Sequence, residues 1–318
     1  VIITCTLSLG AGLSAVGFLF LIDFMFSRTY LIFASKSVFY FAIASFLLIT
    51  ITSLLAGYLL NVFSRESAGS GIPQVKTAYW KELGHMPFKP VLVKFIAGIL
   101  SIGGGNSLGR EGPSVYIGSG VSSNLAGAFG AAPRKRRSAA LIGASAGLAA
   151  AFNTPLAAIT FVIEEIIGDL NNRYLGRVVL SAVIGAFTVH ALLGRHPAFS
   201  IPSIENISWL HYIVVPIVAL AASFAGVIFQ RATVSWRDRI KKQKQIPVWL
   251  LPAIGGVITW IIGFSIFWAT GKTGIFGLGY QDLSDALNNN IDWITITSTA
   301  AAMDGHQYEK RDSRASAA

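Results

Sequence analysis

The chain has 318 residues, of which 53% are hydrophobic and only 13% charged, too little polar surface to coat a water-soluble globule of this size. The formal net charge of +10, from 25 Lys and Arg against 15 Asp and Glu, would suit a nucleic-acid binder in a polar protein. Here the basic residues fall in short clusters between apolar stretches, which argues against nucleic acid as a partner and marks the orientation of a protein set in a lipid bilayer.

A hydrocarbon core about 30 Å thick needs roughly 20 apolar helical residues. The first such run, Val1–Ile22, is apolar from its first residue and has no charged leader or A-x-A-like cleavage site. It reads as a transmembrane helix cut at or near its start rather than as a signal peptide. Within it, Gly10-Ala11-Gly12-Leu13-Ser14-Ala15 fits the dinucleotide pattern G-x-G-x-x-A. That pattern needs a preceding strand and a βαβ unit in water, so a dinucleotide-binding enzyme is set aside. Cys5, the single cysteine, excludes a disulfide framework and a cysteine-built metal site. A second run follows at Val38–Val62.

From Val62 to Tyr174 the pattern changes. Pro90–Gly105, Gly112–Phe129, Ser138–Phe152 and Leu156–Ile167 are apolar but short, and Gly-rich or Pro-containing joints separate them. Non-helical backbone at membrane depth is tolerated only where it is buried in protein or lines a cavity, so the joints are where chemistry is expected. The first is Ala68-Gly69-Ser70-Gly71-Ile72-Pro73, read as a loop capped by Ser70 and leading into a helix with Pro73 in its first turn. Unpaired N–H groups at that helix start, together with the Ser70 hydroxyl, make an uncharged anion site. The alternative is a capped helix on the surface.

The second joint, Gly103-Gly104-Gly105-Asn106-Ser107-Leu108-Gly109-Arg110-Glu111-Gly112-Pro113, again ends on a Pro in a helical first turn. A carboxylate beside an anion-binding helix start competes with the anion for the same donors, so Glu111 is a candidate gate; a structural Arg110–Glu111 pair is the alternative. In the third joint, Asn153-Thr154-Pro155 breaks a small-residue helix and restarts it, and the restarted helix carries Glu164 and Glu165 near its end. Successive helical residues point about 100° apart, so one of these acids is expected to face the interior and the other the water, as a proton route would need. Plain exposure of both at the membrane boundary is the alternative.

Arg134-Lys135-Arg136-Arg137 and the segment 231–245 are strongly basic and are assigned to the cytoplasm. The runs Tyr174–Leu193 and Leu210–Phe229 then go out and return between them, and Val248–Ala269 crosses last. The segment 294–318 is small and polar and reads as a disordered tail. His85, His190, His196, His211 and His306 show no H-E-x-x-H and no i, i+4 pairing, so no metal site is expected, and no cofactor. A serine-enzyme elbow G-x-S-x-G is lacking too, because Ala68-Gly69-Ser70-Gly71 has the wrong spacing.

Gly69–Pro73 (GSGIP), Gly109–Pro113 (GREGP) and Gly147–Glu165 (GLAAAFNTPLAAITFVIEE), in this order and spacing, resemble the CLC family of chloride channels and chloride/proton antiporters, bacterial branch. The resemblance covers about Val1–Trp293 and implies an all-α integral membrane protein of inverted-repeat fold with broken, tilted helices and an incomplete second repeat. It implies a partial membrane domain over 1–293, multi-pass in a bacterial inner membrane, with chloride, protons and lipid as partners and a homodimer when the full-length domain is present. By resemblance, Ser70, Gly71, Ile72, Pro73, Arg110 and Gly112 bind chloride, and Gly69, Gly109, Pro113, Asn153 and Pro155 shape the helix starts. Glu111 is then the external gate and proton carrier, and Glu165 the internal proton acceptor. The family's GxFxP loop is imitated by Gly274-Ile275-Phe276-Gly277-Leu278, with Leu278 where Pro is wanted, and Tyr280 and Tyr308 lie in the wrong context for its inner Tyr. Chloride/proton exchange is the expected activity; a passive chloride channel and a non-transporting remnant stand as alternatives, and enzymatic activity is not expected.

Overall fold

The computed structural model describes residues 1–169, 174–194, 209–242 and 245–288, all of it helix and connecting loop without a strand. Helix α1 (Ile2–Phe26) runs through a π-type turn, Ser27–Leu31, into the short α2 (Ile32–Ala34). Helix α3 (Val38–Phe63) starts where the Ser37 hydroxyl accepts the Tyr40 amide, 3.3 Å away, satisfying one of the unpaired donors of its first turn. Four helices follow: α4 (Ile72–Lys81), α5 (Phe88–Gly103), α6 (Glu111–Ala128) and α7 (Pro133–Phe152). Then come α8 (Pro155–Phe161), which widens into a π-type turn over Val162–Ile167, α9 (Leu175–Leu193), α10 (Leu210–Lys242), α11 (Leu251–Thr270) and α12 (Tyr280–Leu287).

The five long apolar runs of the sequence are, among the described residues, the five helices long and apolar enough to cross a membrane: Ile2–Ala34, Val38–Phe63, Leu175–Leu193, Tyr212–Ile240 and Val248–Thr270. Their ends differ from the apolar runs because backbone hydrogen bonding does not stop where hydropathy does. The basic stretch Arg231–Lys242 is the helical continuation of α10, and Arg134–Arg137 form the opening turn of α7 rather than a linker. The segment 294–318, with His306 and Tyr308, lies outside the described residues, as does His196.

Helix α7 is the hub, buried without a break from Ser138 to Ala151 and packed by α1, α6 and α9. Small residues make that possible. Ideal methyl groups built on Gly118 and Gly143 would each run into the other residue's carbonyl oxygen, so α6 and α7 touch backbone to backbone. Around this contact Phe18, Val75, Tyr79, Tyr116, Leu141 and Val178 close one apolar core. A second core joins α3 and α11 at the opposite flank, where Phe41 stacks on Phe267 at 3.8 Å and the Trp260 Nε1 donates to the Ser45 hydroxyl at 3.0 Å. Helix α10 differs from both groups, because none of its apolar window is buried against the rest of the described chain.

Candidate functional site

Two helix starts meet at Ser70. The cap position of α4 is taken by Gly71 in the left-handed region (φ 101°), with Pro73 in the first turn and the Val75 amide bonded back to the Gly71 carbonyl at 3.0 Å. This corrects the expectation that Ser70 caps α4: a residue at φ 101° is favoured only as glycine, which moves the cap one position on and frees the Ser70 hydroxyl. A methyl on Gly71 would lie 2.8 Å from Tyr116 Cβ, 3.0 Å from Lys94 Cε and 3.1 Å from the Gly112 carbonyl. A methyl on Gly112 would run into the Ser70 carbonyl and lie 2.5 Å from its Oγ. The first turn of α6 is thus seated directly on Ser70. Donor-rich helix starts side by side are what a weakly held anion requires.

Beneath this loop lies Lys94, a residue the sequence reading passed over. It is buried, and its Nζ donates to the Ser67 carbonyl at 2.9 Å and the Gly69 carbonyl at 2.6 Å, 5.2 Å from the centre of the Tyr116 ring. From above, the Gln74 Nε2 donates to the Ala68 carbonyl at 2.9 Å and the Glu66 carbonyl at 3.2 Å. The stretch Glu66–Gly69 is therefore held at four consecutive carbonyls, which anchors the backbone just before Ser70. The available signal was a lone cation inside the apolar stretch Pro90–Gly105.

Glu111 is the first residue of α6, exposed, with its carboxylate folded back over Gly109 so that a methyl there would meet Oε2. Pro113 follows in the same turn. Arg110 has different surroundings: it is buried, with its guanidinium 4.6 Å from the Tyr280 ring centre and 5.2 Å from that of Phe152. It lines a cavity of about 230 Å³ with Asp23 of α1 and the loop before α12. Arg110 therefore sits two residues before Gly112, where the loop after α11 reaches it.

At the third joint Asn153 takes the left-handed region (φ 55°), ending α7, and Pro155 opens α8. Glu164 and Glu165 are both exposed, contrary to the expectation that one turns inward. They fall in the π-type turn Val162–Ile167, whose wider coil separates neighbouring side chains by less than the α-helical step. Glu165 Oε1 instead lies 3.6 Å from Lys76 Nζ on α4, and the Trp80 Nε1 donates to the Ile166 carbonyl at 3.0 Å. Glu165 in this way lies beside α4, the helix that opens after Gly71. The Arg137 guanidinium bonds the carbonyls of Tyr79 (2.6 Å) and Trp80 (3.0 Å), placing a cation on the last turn of the same helix. Arg136 donates to His85 Nδ1 at 3.1 Å. Among the described residues, no group of three or more His, Cys, Asp or Glu is placed to hold a metal.

The pattern of the family described as voltage gated chloride channel matches residues 52–303, which include all three joints. The chain belongs to the CLC family. Curated relatives include the H+/Cl− exchange transporter ClcA of Vibrio campbellii, 35% identical over 152 residues (47% of this chain, 32% of that protein). The ClcA of Citrobacter koseri is 31% identical over 225 residues, 67% of this chain and 46% of that protein. The CLC chain thus spans less than half the length of these relatives. Its fold is that of solved family members. A slow cyanobacterial Cl−/H+ antiporter superposes with a TM-score of 0.77 at 23% identity, covering 92% of this chain and 69% of that one. A CLC-type fluoride/proton antiporter gives 0.73 at 21% identity, over 92% and 70%. The relatives are transporters rather than enzymes, and this CLC chain is a multi-pass integral membrane protein.

Proposed function

We propose that this chain carries the outer gate and the central anion site of a chloride/proton antiporter, within a partial membrane domain over residues 1–293 of a bacterial inner-membrane protein that works as a homodimer at full length. The observation that carries the reading is the seating of the α6 start, with Glu111 at its head, on Ser70 at the start of α4. Chloride is held by the hydroxyl of Ser70 and the backbone of Gly71, Ile72, Pro73 and Gly112, with Arg110 raising the positive potential on the outer side. An uncharged site of this kind suits a monovalent anion, because it does not offset the dehydration of sulfate or phosphate. Glu111 enters as a carboxylate when chloride leaves and withdraws when protonated, which links the two ions. Glu165, held beside α4 by Lys76, receives protons on the inner side. The relatives named as H+/Cl− exchangers favour exchange over passive conduction.

The reading is tested with purified protein containing this chain, reconstituted in liposomes under an imposed chloride gradient. Wild type should drive protons uphill, and Glu111→Gln should abolish that movement while chloride flux persists with little pH dependence, since an amide neither titrates nor competes as an anion. Proton movement retained by Glu111→Gln removes Glu111 from the mechanism; chloride flux without proton movement in wild type leaves a passive channel.

A further inference from the structure

The loop between α11 and α12 imitates an anion-site motif in sequence but has another place in the fold. Phe276 is 1% exposed and lies over Gly263, where a methyl would come within 2.6 Å of its ring. It packs 4.8 Å from Tyr30 and 5.8 Å from Phe41, centre to centre. One residue on, the Gly277 amide donates to the Gly105 carbonyl at 3.3 Å, stitching this loop to the joint that leads into α6. Gly277 and Gly279 both take φ 68°, and the two turns they allow deliver Tyr280 to Arg110. There the guanidinium is hydrogen-bonded to Tyr280, with the Tyr280 ring 4.6 Å from it and the Phe152 ring 5.2 Å. Asp23 of α1 lines the same cavity and acts on Arg110 by its charge. The Arg110 Nε has no hydrogen-bond partner, while the rings, the Tyr280 bond and the Asp23 charge all act on this side chain.

Arg110 is also the cap residue of α6, immediately before Glu111. A planar cation stacked between rings at a helix cap fixes where the first turn begins, and Glu111 swings from that turn. We propose that Tyr280 is a positioning residue for Glu111, acting through Arg110 to hold the first turn of α6 where the carboxylate meets the anion site. The proposal rests on the reading of Glu111 as the gate and adds to it a contact made by the loop after α11. The titratable and charged groups that act on Tyr280 are Arg110, Glu111 and Asp23.

The test measures protons moved per chloride, and the pH profile of chloride flux, for reconstituted wild type, Tyr280→Ala and Tyr280→Phe, alone and combined with Glu111→Gln. Tyr280→Ala should lower the coupling ratio by about 2- to 30-fold, the range spanned by stacking of Arg on an aromatic ring, and flatten the pH profile. Tyr280→Phe, which keeps the ring and loses the hydroxyl, should fall between. On the Glu111→Gln background neither change should alter chloride flux further, since two residues acting through one group are not additive. Slower turnover at an unchanged ratio and pH profile in Tyr280→Ala would overturn the proposal, as would an effect that persists undiminished with Glu111→Gln. Should Tyr280→Ala fail to accumulate in the membrane, Tyr280→Phe carries the same comparison, because it fills the same space. If wild type moves no protons, the exchange reading fails on its own account; Tyr280 is then judged by the pH profile of chloride flux, with the same two outcomes.

Discussion

The sharpest perturbation of the proposed anion site is a single methyl group, Gly112→Ala. Its Cβ would lie 2.5 Å from Ser70 Oγ and closer still to the Ser70 carbonyl oxygen, whereas real Cβ contacts essentially never fall below 3.0 Å. Either the joint Gly69–Pro73 or the first turn of α6 must therefore retreat by at least half an ångström. The backbone leading into Ser70 is held by Lys94 at Ser67 and Gly69 and by Gln74 at Glu66 and Ala68, so the start of α6 is the freer of the two to shift. Overpacking of this kind costs about 1–3 kcal/mol in stability. The anion loses part of a charge-assisted hydrogen bond worth roughly 1.5–3 kcal/mol, and a loss of about 1–2 kcal/mol weakens chloride binding by roughly 5- to 30-fold. Titration calorimetry of the detergent-solubilised protein with chloride reads the change directly. Gly176→Ala serves as the control, because a methyl there meets nothing within 4 Å. Wild-type chloride affinity in a folded Gly112→Ala protein would refute the placing of the α6 start in the site.

Lys94→Met keeps the length of the side chain but removes the donor to the Ser67 and Gly69 carbonyls, so chloride affinity should fall about tenfold, roughly 1.4 kcal/mol, in the same titration; unchanged affinity would make Lys94 a bystander. Glu165→Gln should abolish chloride-driven proton uptake while chloride flux continues. It should leave the thermal unfolding midpoint in place, because the Lys76–Glu165 pair is half-exposed and 3.6 Å long and contributes little to stability. Proton uptake intact in that variant would move the inner proton route elsewhere.

Much of the architecture was legible because a bilayer imposes length and polarity together. Five apolar runs read as helices, and the Gly-Pro joints between shorter runs read as breaks, which is where the helices end and restart. What escaped the sequence has physical reasons. The cap at Gly71 rather than Ser70 depends on a backbone angle, and side-chain preference alone ranks serine first. Glu164 and Glu165 are both exposed because the helix widens there, a departure that no periodicity of 3.6 reveals. Lys94 looked like an interruption of an apolar stretch, since its two carbonyl partners lie on another element. Tyr280 could be placed only by folding, because its partner Arg110 is far away in the chain. The three joints themselves were readable for the opposite reason: each is a local device, built from neighbours in sequence.

The direct meeting of α6 and α7 also governs what can move. At Gly118 and Gly143, and again where Gly147 faces the Ser114 carbonyl, the two helices are separated by no side chain at all. Sliding one along the other would push a carbonyl into a Cα, and parting them would open a void that nothing nearby can refill. The helix headed by Glu111 and the helix ended by Asn153 consequently behave as one stiff strut, with its compliance confined to the tips. Within this pair the easiest motion is at the tips, where an exposed side chain such as Glu111 rotates in picoseconds to nanoseconds.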